Sequence, residues 1–399
     1  MSAKWNLFER YGIELEYMIC DRRTLSVRPI ADQLIHRLAG AYVNEVNAGA
    51  ISYSNELVLH VIELKTTEPV SHLDGVAALF QQHVRELNRI LADFDACLMP
   101  TGMHPWMDPH TEMKLWAHEQ NPIYEAYHRI FDCRGHGWAN LQSVHLNLSF
   151  RTDEELKCLH SAIRWLLPIM PALSASTPVC DNRVTGFLDT RLEVYRHNQK
   201  KVPSIAGQVI PEPIASAEDY YKKILHPIWA DIAPHDPDNI LQEEWLNSRG
   251  AIVRFDRSAI EIRVLDIQEC PAMDFWILDA FVAVLKKLVG RIQRGEVAYD
   301  FISTHDLADI FVRCIKGGEA VIVHHPEYLS LFNLTQPTPI RDIWKTLVSE
   351  DSIILREGPL ARRIVDAWNH ASGDAVYRAL CRCLEGGVPF EKDSLARHV

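Results

Sequence analysis

Glu14 and Glu16 stand two residues apart in the segment Tyr-Gly-Ile-Glu-Leu-Glu-Tyr-Met-Ile, residues 11–19. On an extended strand this spacing puts both carboxylates on one face, roughly 6.5–7 Å apart along the chain. Like charges held that close repel unless a cation lies between or beside them. Alone, Glu-x-Glu fits a solvated edge strand as well as a cation site. The pattern recurs, however: Glu63 lies in Leu57–Thr67, His145 and Asn147 in Ser143–Phe150, and Glu261 and Arg263 in Ala251–Leu265. Magnesium takes oxygen ligands, usually a few carboxylates together with substrate phosphates. Carboxylates gathered from several strands, with one histidine, suit two or more such ions held against a nucleotide. Each residue also has a plainer reading. His145 fits a packed, hydrogen-bonded side chain, and Glu261-x-Arg263 fits a cross-strand ion pair. Beside a metal, Arg263 becomes a phosphate-binding cation. Arg183 and Arg191 flank Thr185-Gly186-Phe187 and are either exposed loop arginines or a clamp for a substrate carboxylate.

These side chains need strands to carry them. In Tyr11–Ile19 the residues Ile13, Leu15, Tyr17 and Ile19 alternate with Gly12, Glu14 and Glu16. In Ser143–Phe150, Val144, Leu146, Leu148 and Phe150 alternate with Ser143, His145, Asn147 and Ser149. Such period-two alternation predicts one core face and one polar face. Ala251–Leu265 is read as one long strand. Apolar residues at 3.6-residue spacing predict a helix over about His72–Asp95. Thr152 or Asp153 caps a second helix that runs to about Met170. Helical signals return at Ala217–Ile232, at about Asp274–Gln293, and from residue 296 onward. Pro100–Pro122 reads as loop, and 174–214, rich in Ser, Pro, Asn, Gly and Arg, as a long functional loop region.

Composition narrows the partners. A 399-residue chain that is 47% hydrophobic can bury a large core. Its formal net charge of −12, without a dense Lys/Arg stripe, argues against nucleic acid. Nine cysteines, with no Cys-x-x-Cys, read as reduced thiols. The N-terminal residues lack the pattern of a secretory signal, and the apolar run at Phe275–Val289 is too short and too charged for a bilayer. The expectation is a cytoplasmic protein with small-molecule partners, no nucleic acid and no membrane, a homo-oligomer being left open.

Six ordered segments carry a resemblance. Gly12-Ile13-Glu14-Leu15-Glu16, Glu63-Leu64-Lys65-Thr66, Gly102-Met103-His104-Pro105, Ser143-Val144-His145-Leu146, Arg183-Val184-Thr185-Gly186-Phe187 with Arg191 following, and Glu261-Ile262-Arg263 resemble the motifs of the second glutamate–cysteine ligase family, which includes carboxylate–amine ligases. The resemblance implies an α+β fold of the glutamine synthetase/guanido kinase-like class, a curved antiparallel β-sheet funnel flanked by helices. It implies a catalytic domain over 1–295 and a helical region over 296–399 packed on it. ATP and Mg2+ (or Mn2+) would lie on the inner wall, with Glu14, His145 and Glu261 around one metal and Glu16 and Glu63 at another. Arg263 would face the transferred phosphate, with Glu63 as its catalytic companion, and His145 and Asn147 would contact the nucleotide. Arg183, Thr185 and Arg191 would hold the substrate, an amino acid to be joined to an amine. Ser143 stands where the family has its first strand histidine. The family's Asn-Arg-Trp-like segment is not recognisable, and Ile322-Val323-His324-His325-Pro326 occupies that general region. Two other classes stand beside the ligase. One is a zinc-dependent hydrolase, suggested by 19 histidines but lacking His-Glu-x-x-His; the other is a catalytically silent ligand sensor.

Overall fold

The computed structural model describes residues 5–348 and 352–395. Its strands are β1 (Tyr11–Asp21), β2 (Glu45–Asn47), β3 (Ile51–Asn55), β4 (Val61–Thr66), β5 (Ala96–Met99), β6 (Ser143–Ser149), β7 (Val179–Cys180), β8 (Arg183–Val184), β9 (Ala251–Arg254), β10 (Ala259–Asp266), β11 (Ile322–Val323) and β12 (Thr338–Pro339). Eight of them form one sheet in the order β2-β3-β4-β1-β6-β10-β9, with β5 added to β1. Every pairing in it is antiparallel. The remaining strands make two short ribbons, β7–β8 and β11–β12.

Strand β1 is central. One of its edges pairs with β4; the other pairs first with β6, through Tyr11 to Leu15, and then with β5, through Met18 to Asp21. Its aliphatic face, Ile13, Leu15, Tyr17 and Ile19, is fully buried. It belongs to a large core shared with Phe80, Val84 and Leu87 of the helix Val76–Leu91, Leu159 and Ile163 of Asp153–Leu166, and Leu278, Phe281 and Leu285 of Pro271–Gln293. The opposite face changes character along the strand. Glu14 and Glu16 give way to Met18 and Cys20, which pack in a second core with Ile364 of the helix Leu360–Trp368 and Tyr377, Leu380 and Cys383 of the helix Gly373–Gly386. These helices cover the apolar half of the face and leave the carboxylate half open. Residues of the helices Thr304–Gly317 and Ile340–Leu347 join the first core, where the Trp344 indole N–H donates to Ile169 O at 2.9 Å. The buried Arg363 binds Glu269 Oε1 and Phe390 O, each at 2.6 Å.

Several elements differ from expectation. Leu57–Thr67 is strand only over Val61–Thr66, and β3, with its polar Ser52 and Ser54, precedes it unforeseen. The long strand at 251–265 is a hairpin, β9 and β10, turned at residues 255–258 where Ser258 takes φ 53°. The expected loops contain the helices Pro109–Glu112 and Thr190–Tyr195, and the helix Asn121–Phe131 begins at the end of the first of them. Strand β10 also shifts register against β6 between Ile262 and Leu265. This bulge reverses the alternation, so that Asp266 pairs with Ser143 on the polar face, whereas simple period-two counting would send it into the core.

No helix among the described residues is long and apolar enough to cross a membrane. None of the nine cysteines is in a disulfide.

Candidate active site

Register brings the polar residues together. Glu16 lies directly opposite Glu63; Glu14 sits between Lys65 on β4 and His145 on β6; Asn147 faces Gly12 on one side and Glu261 on the other. A side chain at position 12 would press on the Asn147 Cβ, because a Cβ there would stand 3.1 Å from it. The sheet thus forms one wall of a cavity of ≈ 450 Å3 that is lined by Glu14, Glu16, Glu63, His145, Glu261 and Arg263, among others. Glu56, from the turn after β3, joins them, as do Lys65, Arg191, Arg254 and Arg257. Half-buried rings of Tyr127, Trp138 and Trp245 also line it, Tyr127 lying 5.3 Å from Trp138 and 6.1 Å from Trp245 between centroids. A second cavity of ≈ 510 Å3 shares Glu14, Lys65 and Arg257 with the first and includes Asn147 and Arg10.

Hydrogen bonds hold the carboxylates at fixed angles. The Ser143 backbone N–H and hydroxyl both donate to Glu16 Oε2, at 2.7 and 3.1 Å. His145 Nδ1–H donates to Glu14 Oε2 at 2.8 Å, and its Nε2 lies 3.0 Å from the Ser143 hydroxyl and 3.7 Å from Glu16 Oε1. Ser143, in the place of the family's first strand histidine, therefore links the second histidine to Glu16. The Asn147 amide donates to Glu14 Oε1 at 3.1 Å, and the Ser54 hydroxyl to Glu63 Oε1 at 2.7 Å. Arg254 and Arg263 each approach Glu261 at 3.2 Å.

The charges are unevenly balanced. Burial works to raise the Glu14 pKa, but the hydrogen bond and charge of His145, with Arg257 and Lys65, outweigh it and hold the group at about 2. Burial would likewise lower His145, yet Glu14, Glu16 and Glu261 raise it to about 9, so the ring is a cation at neutral pH. Glu63 is pushed up to about 7 by burial and by Glu14, against the pull of Lys65 and Ser54. Glu56 is raised further by burial and by Glu16, Glu63 and Glu14. Oxygens of Glu16, Glu56 and Glu63 lie within 4.8 Å of one another, as do ligand atoms of Glu14, Glu63 and His145. Acidic oxygens this close, with Glu56 and Glu63 raised by the carboxylates around them, are the donor set a hard divalent cation takes.

The expected substrate residues separate. Arg191 is 1% exposed and lines the cavity. Arg183 is exposed on β8, outside the lining, and the Thr185 hydroxyl is engaged with Pro178 O, Phe187 O and Thr190 Oγ1 at 2.6–3.3 Å. Sequence reasoning missed Glu56, Arg254 and Asp266. Glu56 follows an unrecognised strand, Arg254 lies on a hairpin read as one strand, and Asp266 follows the bulge. His104 proves structural: its Nε2–H donates to Leu25 O at 2.8 Å while Nδ1 accepts from the Met107 N–H at 3.0 Å. His325 caps the short helix Pro326–Ser330 by accepting from the Tyr328 N–H at 3.2 Å. A further grouping, His136, Cys180 and Asp181, lies outside the cavity lining. There the Asn140 amide, oriented by both backbone groups of His104, donates to His136 Nδ1 at 3.1 Å. The ring proton then sits on Nε2, directed at Asp181, and the lone pair a metal would need is absent.

With this geometry established, comparison places the chain. The model of the glutamate–cysteine ligase family 2 matches residues 10–306, and the chain belongs to that family. An uncharacterised protein of Archaeoglobus fulgidus is 39% identical over 274 residues, 69% of this chain and 73% of its own length. A protein of Haloquadratum walsbyi named glutamate–cysteine ligase is 21% identical over 306 residues, 71% of this chain and 72% of its own. Relatives in Rubrobacter xylanophilus and Corynebacterium efficiens match over 46% of this chain and 46% of their own length. Among solved structures, the glutamate–cysteine ligase of Francisella tularensis, in complex with AMP, superimposes with a TM-score of 0.59 at 10% identity, covering 98% of this chain and 91% of that one. That likeness concerns the fold, and the α+β class expected from the sequence is the one observed.

Proposed function

We propose that the protein is an ATP- and Mg2+- (or Mn2+-) dependent carboxylate–amine ligase that forms an amide, of γ-glutamyl type, through an acyl phosphate. The observation that supports this most is the convergence of Glu14, Glu16, Glu56, Glu63 and Glu261 on one cavity that also holds Arg191, Arg254 and Arg263. The reaction takes a carboxylate, an amine and ATP to amide, ADP, phosphate and a proton. The donor is glutamate or a related amino acid, and the acceptor is cysteine or another amine.

Glu14, His145 and Glu261 would hold one divalent ion, the His145 ring giving up its Nε2 proton when the ion binds, and Glu16, Glu56 and Glu63 would hold a second. Such ions neutralise the phosphate charge during transfer. The protein's own contribution is position. Ser143, Asn147 and Ser54 fix the carboxylates at the distances given above. Arg263, half-buried beside Glu261, whose charge raises its pKa against the pull of desolvation, stays cationic and meets developing negative charge on the phosphoryl oxygens. Asn147 would contact the nucleotide from the second cavity. Arg191 holds the substrate carboxylate, while the Thr185 hydroxyl, bonded to Pro178 O and Thr190 Oγ1, orders the loop that also carries Arg183. No Ser or Cys nucleophile is required. All these side chains fall in the unit assigned to 1–295. The helices beyond it cover the apolar end of the sheet face, which keeps that end dry.

The test is release of phosphate from ATP by the purified protein with Mg2+ or Mn2+, L-glutamate and a panel of amines. Turnover that needs metal, carboxylate and amine together is expected. Absence of turnover across a broad panel of carboxylate–amine pairs, with no nucleotide binding, would refute the ligase. Nucleotide binding without turnover would make the chain a sensor instead.

A further inference from the structure

Arg191 is held in an unusual way. Its guanidinium is buried, its Nε–H donates to Asp266 Oδ1, and its Nη2 is buried without a hydrogen-bond partner. A buried arginine donor with nothing to bind is costly unless something arrives to bind it. Arg191 also lines the cavity beside Glu16 and Arg263. Asp266 is 1% exposed and saturated: its Oδ2 accepts from the Ser176 N–H at 2.7 Å, the Thr177 hydroxyl at 2.9 Å and the Ser176 hydroxyl at 3.3 Å. Thr177 Oγ1 in turn accepts from the Arg191 backbone N–H at 3.1 Å, so both ends of the arginine are tied to one carboxylate.

Behind Asp266 stands the Thr-Gly-Met-His-Pro turn, for which the proposed chemistry has no use. Its Gly102 N–H donates to the Ser176 hydroxyl at 2.9 Å, and a Cβ at Gly102 would lie 2.8 Å from Asp266 Cγ and 3.0 Å from Thr177 Cγ2. Thr101, at φ 79°, bends the chain into this contact. Gly102 O then accepts from the Gln142 N–H at 2.9 Å, next to Ser143, which orients Glu16.

We propose that Asp266 is a positioning residue for substrate recognition, holding Arg191 through Nε so that the Nη side of the guanidinium is left to meet the carboxylate of the amino-acid substrate, with Gly102 as the close-fitting wall behind it. This rests on the ligase reading above and adds to it a residue on the polar face that binds no substrate. It explains why the glycine turn accompanies the acidic strands: any side chain at 102 displaces Asp266 and, through it, Arg191. Because Nε is occupied by Asp266, the substrate meets the guanidinium from the Nη side alone, and a lysine at 191 cannot serve both partners.

The test uses the full-length protein with L-glutamate, ATP–Mg2+ and the amine accepted in the panel. Asp266→Asn, and the milder Thr177→Val and Gly102→Ala should the first not fold, are expected to raise the KM for L-glutamate roughly 10–100-fold while leaving the KM for ATP within about threefold. Arg191→Ala should regain activity with added guanidinium ion, and Arg191→Ala/Asp266→Asn should not. Folded variants whose KM for L-glutamate is unchanged, or guanidinium rescue that persists without Asp266, would overturn the inference and leave the ligase intact. A wild-type protein with no turnover across the carboxylate–amine panel and no nucleotide binding would remove the ligase reading and this inference with it.

Discussion

Glu16→Gln isolates the charge of one carboxylate at nearly constant shape. In the native site Glu16 Oε2 accepts two bonds from Ser143, at 2.7 and 3.1 Å. The glutamine carbonyl oxygen will keep those bonds, since its amide nitrogen cannot accept them. The NH2 group is thereby forced into the Oε1 position, facing His145 and the cavity, where a divalent ion needs an oxygen. Two unit charges 4 Å apart interact by about 4 kcal/mol at an effective dielectric of about 20, and a doubly charged ion feels twice that. Water and the amide dipole recover part of the difference, leaving a net loss of about 3–4 kcal/mol, on the order of 10²–10³-fold in affinity. The fold should not suffer, because Glu16 stands directly opposite Glu63 and removing one of two like charges relieves repulsion. The assay is Mn2+ binding by calorimetry or paramagnetic resonance, paired with thermal melting and with metal-dependent turnover. Mn2+ affinity within about threefold of wild type, in a variant that melts normally, would refute the assignment of Glu16 to a cation and the electrostatic reasoning behind it.

Two further outcomes follow from buried groups elsewhere. His60 and His104 are fully buried, and burial, set against a backbone hydrogen bond from each ring, lowers both from 6.5 to about 4. A base whose folded pKa is depressed destabilises as pH falls below its unfolded value: the loss begins near pH 6.5 and is complete below about 4. The stability advantage of wild type over His60→Gln should therefore shrink by about 2 kcal/mol between pH 7 and pH 5, read from guanidinium denaturation at each pH; a constant gap means that His60 is protonated at its ordinary pKa. Arg363 and Glu269, with side chains 3% and 0% exposed, form a buried pair joining the C-terminal helices to the segment between β10 and the helix Pro271–Gln293. Arg363→Met alone should cost about 3–5 kcal/mol by stranding the Glu269 charge, whereas Arg363→Met with Glu269→Gln should cost far less. Equal losses in the single and double variants would show that packing, not charge, is at stake.

The polar faces of β1 and β6 were readable from alternation alone, because inside an unbroken strand each side chain's face depends only on its neighbours in sequence. Glu14, Glu16, His145 and Glu261 were found this way, Glu63 from its place in an expected strand, and the structure gathers all five at one cavity. The same rule fails at Asp266, where the bulge after Ile262 reverses the count. It fails at Glu56, which lies on a turn beyond a strand too polar to recognise, and at Arg254, on the unforeseen hairpin. Arg183 and Arg191 look equivalent in the chain. They part in space because β8 carries Arg183 on an exposed two-residue ribbon, while Arg191 begins a helix capped by the buried Asp189.

Chain order and residue type were thus enough for the family, the sheet-and-helix class and the acidic strands, all of which are local patterns repeated at a recognisable spacing. Which carboxylates oppose one another, which arginine is turned inward, and which aspartate holds it depend on cross-strand register, on a single bulge and on the close approach of Gly102. Those are set by contacts between residues far apart in the chain, and no local periodicity encodes them.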